Sequence, residues 1–285
     1  MPNQNHWKFG ARQRSSRWQV ALAVLLAVAP ATTHAEEFRQ DFLGRPYDQN
    51  VFLKTGSNHG RVVQTEPRGL RIALPADHGT KQPVGLVAAI GARGDFEITM
   101  EFELLQVDKP TAGYGAGVSI YIATAAPTKE AATLARVVRP DGNQLLTFHR
   151  ATTTAEGKRQ HRTESLPTEA QSGKLRLVRS GTTLSYQFAR GDSNTFQEVH
   201  EEELGTEDLE TIRFAADAGG SPTLVDICIK AVTVKADDFG SAGSPPPTSR
   251  WPYWLVAGLA ILLIAAAGYW LWSRPPPAAS PKARR

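Results

Sequence analysis

The chain has 285 residues, a formal charge of +4 and a single cysteine, Cys228. Residues 1–35 carry four cations (Lys8, Arg12, Arg14, Arg17), residues 250–285 carry five (Arg250, Arg274, Lys282, Arg284, Arg285), and neither stretch has an acid; setting these nine aside leaves 23 cations against all 28 acids in the middle, a net charge of −5. The basic pI therefore belongs to the ends, which excludes a nucleic-acid partner for the folded part, and one thiol excludes an intrachain disulfide and a lipid anchor on an N-terminal cysteine.

In chain order, residues 1–35 open with a basic segment. An apolar run follows from Trp18 to Val28, then small residues with Ala29-Pro30-Ala31 or Thr33-His34-Ala35 as cleavage triplets. The run is too short to span a bilayer, which takes about twenty residues, and the arrangement predicts a secretory signal peptide. Residues 36–236 are expected to form one exported domain. All six tryptophans lie outside it, so its core must come from Leu, Val, Ile, Phe and a few Tyr.

Within that domain the periodicity is two. Phe96, Ile98, Met100, Phe102 and Leu104 alternate with Glu97, Thr99, Glu101 and Glu103, and the pattern recurs at 118–122, 175–177 and 184–188. Turn residues punctuate these runs at Gly79, Asp141-Gly142-Asn143, Ser180-Gly181, Arg190-Gly191-Asp192 and Gly219-Gly220. Many short strands, each with one apolar face, predict an all-β sandwich. Only the stretch at residues 129–134 has a pattern that could hold a short helical turn. Cys228, within Val225 to Ile229, reads as a structural position of a strand.

Residues 237–252, rich in Gly, Ser and Pro, are expected to form a linker. Residues 253–273 predict one C-terminal transmembrane helix. The nineteen residues from Trp254 to Trp272 contain no charge and span roughly 29 Å at about 1.5 Å per residue, with aromatic residues at both ends. Positive charge beyond the span places residues 274–285, a basic tail, in the cytoplasm and the domain in the periplasm or the exterior, as a single-pass membrane protein.

Residues 174–188 with Phe196 to Val199 are similar to a hairpin of concanavalin A-like, laminin-G-type jelly rolls. The blocks 38–48 (Phe38 to Asp48), 66–72, 83–87, 94–99, 113–119 and 219–223 resemble a bacterial exported family known as domain of unknown function 1583. The resemblance implies a concanavalin A-like jelly-roll sandwich and export, and no activity.

Glu97-Ile98-Thr99-Met100-Glu101 matches the outer positions of the Glu-x-Asp-x-Glu strand of laminarinase-type glycanases, and alternation would put both carboxyls on one face. The central acid is replaced by Thr99, and the domain has no Trp to stack on sugars, so the expectation is a domain that is not an enzyme. His59, His78, His149, His161 and His200 show no metal-ligand spacing in sequence. No cofactor is implied; the resemblance to laminin-G-like domains admits calcium, without an Asp-x-Asp-x-Asp loop to hold it. The glycines at 113, 115 and 117 lead into a strand, where they permit a bend or close backbone approach. A binding surface is expected on polar strand faces. Gly113, Gly115, Gly117, Ser119 and Tyr121 would form a strip, with Glu97, Glu101, Arg136, His149 and Gln187 on neighbouring strands. The function expected is lectin-like recognition of a glycan or protein at the cell envelope. The alternatives are a structural or scaffold subunit of an envelope complex, and a degenerate glycoside hydrolase using Glu97 and Glu101.

Overall fold

The computed structural model describes residues 35–78, 82–154 and 156–241. The predicted signal peptide, most of the linker, the predicted membrane span and the tail lie outside these residues. No helix among the described residues is long and apolar enough to cross a membrane.

Fifteen strands and one four-residue helix are described: β1 Glu36–Asp41, β2 Phe52–Thr55, α1 His59–Val62, β3 Val63–Glu66, β4 Gly69–Leu74, β5 Val84–Ala88, β6 Ile90–Val107, β7 Ala116–Thr124, β8 Ala131–Val138, β9 Gln144–Thr153, β10 Arg159–Pro167, β11 Ser172–Ser180, β12 Thr183–Arg190, β13 Gln197–Glu203, β14 Leu209–Asp217 and β15 Val225–Ser241. Every pairing is antiparallel. The hydrogen-bonded path runs β10-β9-β8-β7-β14-β6-β11-β12-β13. At β14–β6 a single residue pair, Leu209 with Ala92, joins its two halves. There the path folds into two layers. We call β1, β3, β4, β15, β6, β11, β12 and β13 sheet A, and β2, β5, β14, β7, β8, β9 and β10 sheet B.

Alternation explains why the layers close. On β6, Phe96, Ile98, Met100 and Phe102 are buried while Glu97, Thr99 and Glu101 are only half-buried, as a strand with one face on a core requires. On sheet B the inward residues include Val118, Ile120, Ile122, Leu134, Phe148 and Phe214. Contacts across the layers confirm the sandwich: the Phe148 ring of β9 packs at 5.6 Å on Tyr186 of β12, and Phe38 of β1 at 5.6 Å on Phe52 of β2. The core is built from Leu, Val, Ile, Phe, Ala, Met and one Tyr, without tryptophan.

Three local expectations meet the structure differently. Residues 131–138, overlapping the one stretch that could have held a helical turn, form β8, hydrogen-bonded on both sides to β7 and β9. The alanines there have strong intrinsic helix propensity, but a strand paired along both edges overrides it. β15 continues to Ser241, five residues beyond the expected end of the domain, by pairing Asp238 to Ser241 with Arg93 to Ile90 of β6. Cys228 lies in β15 as expected; it is buried, its Sγ donates to Arg68 O at 3.3 Å, and burial pushes the thiol up to about 11.

Candidate functional site

The outward face of sheet B carries the most unusual chemistry. Its strands are in register, so one row crosses seven of them: Leu53, Val87, Arg213, Tyr121, Thr133, His149 and Thr163. At about 4.8 Å between strands, that row spans roughly 29 Å. Two residues further along each strand the outward positions are Gly85, Ala215, Ser119, Ala135 and Thr147, and beyond them Asp217, Gly117, Val137 and Leu145. Ala215, Ser119, Ala135, Val137 and Leu145 face away from the main core and are nevertheless buried by their neighbours. Ala135, Val137 and Leu145 form a second apolar cluster, separate from the core.

Polar groups converge beside this cluster. The Arg213 guanidinium lies 4.4 Å above the Tyr121 ring, and its Nε is buried without a hydrogen-bond partner among the described residues. Burial lowers the Arg213 pKa, while Tyr121, Asp217 and Tyr114 oppose that shift. Tyr114 donates its hydroxyl to Asp217 Oδ2 at 2.7 Å, and Gly219 N donates to Asp217 Oδ1 at 2.9 Å. Burial raises the Asp217 pKa above the usual carboxylate value, outweighing these hydrogen bonds and the charge of Arg213. The Tyr114 pKa is also raised, first by burial and then by the Asp217 charge.

Glycines bring Tyr114 to Asp217. Tyr114 N donates to Gly219 O at 3.1 Å, and a Cβ on Gly113 would stand 1.9 Å from Gly219 O. Gly113 and Gly219 also have φ of 87° and 71°, values that favour glycine. The expected close backbone approach therefore occurs, and it positions a half-exposed tyrosine over the end of β14.

The candidate residues read from sequence lie in three places. Ser119, Tyr121 and His149 share the outward face of sheet B. Glu97 and Glu101 share the outward face of sheet A with Gln187, across β11 in the row Thr99, Arg176, Gln187. There Glu97 faces Arg176 at 3.5 Å and Lys235 at 3.3 Å, Thr99 accepts from Arg176 Nε at 2.9 Å, and Arg176 lies 3.5 Å over the Phe196 ring. Arg136 points into the sandwich and is fully buried. It donates to Ala170 O and Val137 O, both at 2.8 Å, and to Gln144 Oε1, and burial lowers its pKa to about 10. Its position makes it a brace for the 168–171 turn. Sequence reasoning missed Tyr114, Arg213 and Asp217.

A separate cleft of about 650 Å³ opens at one end of the sandwich, lined by Arg61, Arg71, Asp77, His78 and Asp226 among others. Arg71 is already paired there with Asp226 at 2.6 Å and Glu66 at 3.2 Å, and no Phe, Tyr or Trp lines the cleft among the described residues. Among the described residues, no group of three or more His, Cys, Asp and Glu is placed to hold a metal ion.

The profile of the family described as "Protein of unknown function (DUF1583) C domain" matches residues 22–250, and the chain belongs to that family. No curated protein sequence matches. Similar solved structures include glycan-active proteins. One, described under endo-acting O-glycanases expressed by prominent members of the human gut microbiota to initiate mucin breakdown, is 13% identical with a TM-score of 0.50, over 69% of this chain and 97% of that one. A Bacillus licheniformis β-glucanase is 13% identical with a TM-score of 0.46, over 70% and 97%. A GH43 protein from Bacillus licheniformis is 11% identical with a TM-score of 0.49, over 70% of this chain and only 39% of its own length. The fold is thus an all-β jelly-roll sandwich. That finding overturns the expectation that the chain is not an enzyme, because its fold is one on which glycan-cleaving enzymes are built.

Proposed function

We propose that the domain binds a carbohydrate chain on the outward face of sheet B, over Tyr114, Tyr121, Arg213 and Asp217. The observation that carries this reading is the pair of accessible rings, Tyr114 and Tyr121, beside a guanidinium and a carboxylate on a face turned away from the core. Apolar surface with a few placed polar groups is what a small-molecule or glycan subsite needs. Tyrosine supplies a flat apolar ring with a polar tip. The length of the row suits several sugar units rather than one.

A second reading is a glycoside hydrolase, degenerate or active. It draws on the fold and on Asp217, whose raised pKa is the property a general acid requires. The pair Glu97 and Glu101 offers the alternative acids for it.

The test is titration of residues 36–249 with a panel of polysaccharides and envelope extract, with and without calcium, while released sugar is measured. Saturable binding that Tyr121→Ala weakens supports recognition on sheet B. Sugar release that Asp217→Asn abolishes replaces it with the hydrolase. Capture of an envelope protein, with no polysaccharide bound, replaces it with a scaffold subunit. The predicted signal peptide and residues 253–273 would hold this domain outside the cytoplasmic membrane on a short stalk. Carbonate extraction and protease accessibility of the full chain test that placement.

A further inference from the structure

On the β9–β10 hairpin, at the end of the same row, two histidines 12 residues apart meet. His161 Nδ1 lies 3.3 Å from His149 Nε2, with ring centroids 5.3 Å apart and planes 22° from parallel. Register explains the encounter: His149 stands opposite Thr163 and His161 opposite Ala151, so the two are diagonal neighbours on one face. Thr163 Oγ1 lies 2.8 Å from the other nitrogen of His149, Nδ1. With the Nδ1 proton donated to that oxygen, Nε2 carries the lone pair and faces His161.

Two imidazoles bound to one ion at about 2.0–2.1 Å with a tetrahedral angle have nitrogens about 3.3 Å apart. The observed pair has that separation, and its orientation is fixed by the second-shell contact that metal-binding histidines usually have. From this geometry we infer that His149 and His161 form a binding site for a first-row divalent metal ion, with the remaining positions filled by water. Imidazole ligands select such metals over calcium, and Cu²⁺ heads their affinity order. Binding requires only that the Nδ1 proton of His161 move through solvent to its Nε2, so no net proton is released. His161 is exposed, so the ion is reached from solvent. The site stands independently of glycan binding.

The test is titration of the full chain with Cu²⁺, with the coordinated imidazoles counted by pulsed electron paramagnetic resonance. The expected result is one ion with two imidazole nitrogens in the wild type. The two-nitrogen signature should be lost in both His149→Ala and His161→Gln, each retaining the wild-type circular dichroism. Thr163→Val should weaken Cu²⁺ by about tenfold, as loss of a second-shell partner does. A wild type without the two-nitrogen signature, or a signature that persists in either histidine variant, overturns the site.

Discussion

The two outward faces of the sandwich are built by the same alternation and do different things. On sheet A the exposed parity presents Glu97, Thr99, Glu101 and Glu103 on β6 against the cations Lys174 and Arg176 on β11 and Lys230 and Lys235 on β15. Glu103 reaches Arg68 at 2.7 Å and Lys230 at 3.4 Å, as Glu97 reaches Arg176 and Lys235. These are partly exposed ion pairs, each worth roughly 0–1 kcal/mol. On sheet B the same parity presents alanine, serine, valine, leucine and Tyr121, with the Arg213 guanidinium held over the Tyr121 ring. A charged lattice satisfies itself in ion pairs, whereas sheet B packs its outer apolar groups away and leaves Tyr114 and Tyr121 accessible beside Arg213.

The largest expected effect separates inside from outside at adjacent positions of β7. Ile120 is fully buried in the main core; Ile120→Ala is expected to cost about 3 kcal/mol of stability in urea unfolding, the usual range for a core truncation. Its neighbour Tyr121 faces out, so Tyr121→Ala should cost only about 1 kcal/mol, from lost packing with Arg213. The same variant should weaken glycan binding by about tenfold, as loss of an aromatic anchor does. Calorimetric titration against the tightest polysaccharide of the panel measures it. Equal destabilisation by both variants would mean that β7 has no free face.

Asp217 sharpens the comparison through pH. Its folded pKa is raised, so between the ordinary carboxylate value near 4 and the higher folded value the native state binds more protons than the unfolded chain. Its contribution to stability is therefore fully present below about pH 4 and is lost as pH rises through the folded pKa. The uncharged amide of an Asp217→Asn variant has no such dependence. The stability of the wild type relative to that variant should fall as pH increases above about 4, measured by urea unfolding at a series of pH values. A relative stability that rises with pH would reverse the sign and place Asp217 in a charge-stabilising environment.

Much of this frame is legible in the sequence where one face is apolar and the other charged. Residues 95–105 alternate so cleanly that the pattern alone assigns Glu97 and Glu101 to the same outward face. In β8 the run Thr133-Leu134-Ala135-Arg136-Val137 has apolar residues at both parities because its outer face is covered too. Periodicity there does not separate strand from helix, nor show that Arg136 points inward. Tyr114 and Asp217 are 103 residues apart in sequence. The only local trace of their meeting is the pair of glycine clusters at 113–117 and 219–220, which signals close backbone approach without saying to what. The His149–His161 pair depends on hairpin register, which the spacing of histidines along the chain does not reveal.

The smallest expected effect is the most direct test of the contrast between faces. Glu97→Gln with Glu101→Gln removes two carboxylates from sheet A. Glu97 contacts Arg176 and Lys235 at 3.5 and 3.3 Å, with all three side chains about a quarter or more exposed. Solvent screening limits the loss, so stability should change by no more than about 1 kcal/mol, and by less in high salt. Because these side chains lie on the layer opposite Tyr121, glycan affinity should stay at the wild-type value. Loss of binding or of sugar release in this double variant, with Tyr121→Ala unchanged, would move the site to sheet A. The ion pairs around Glu97 would then hold a reactive carboxylate, and the accessible tyrosines of sheet B would need another partner.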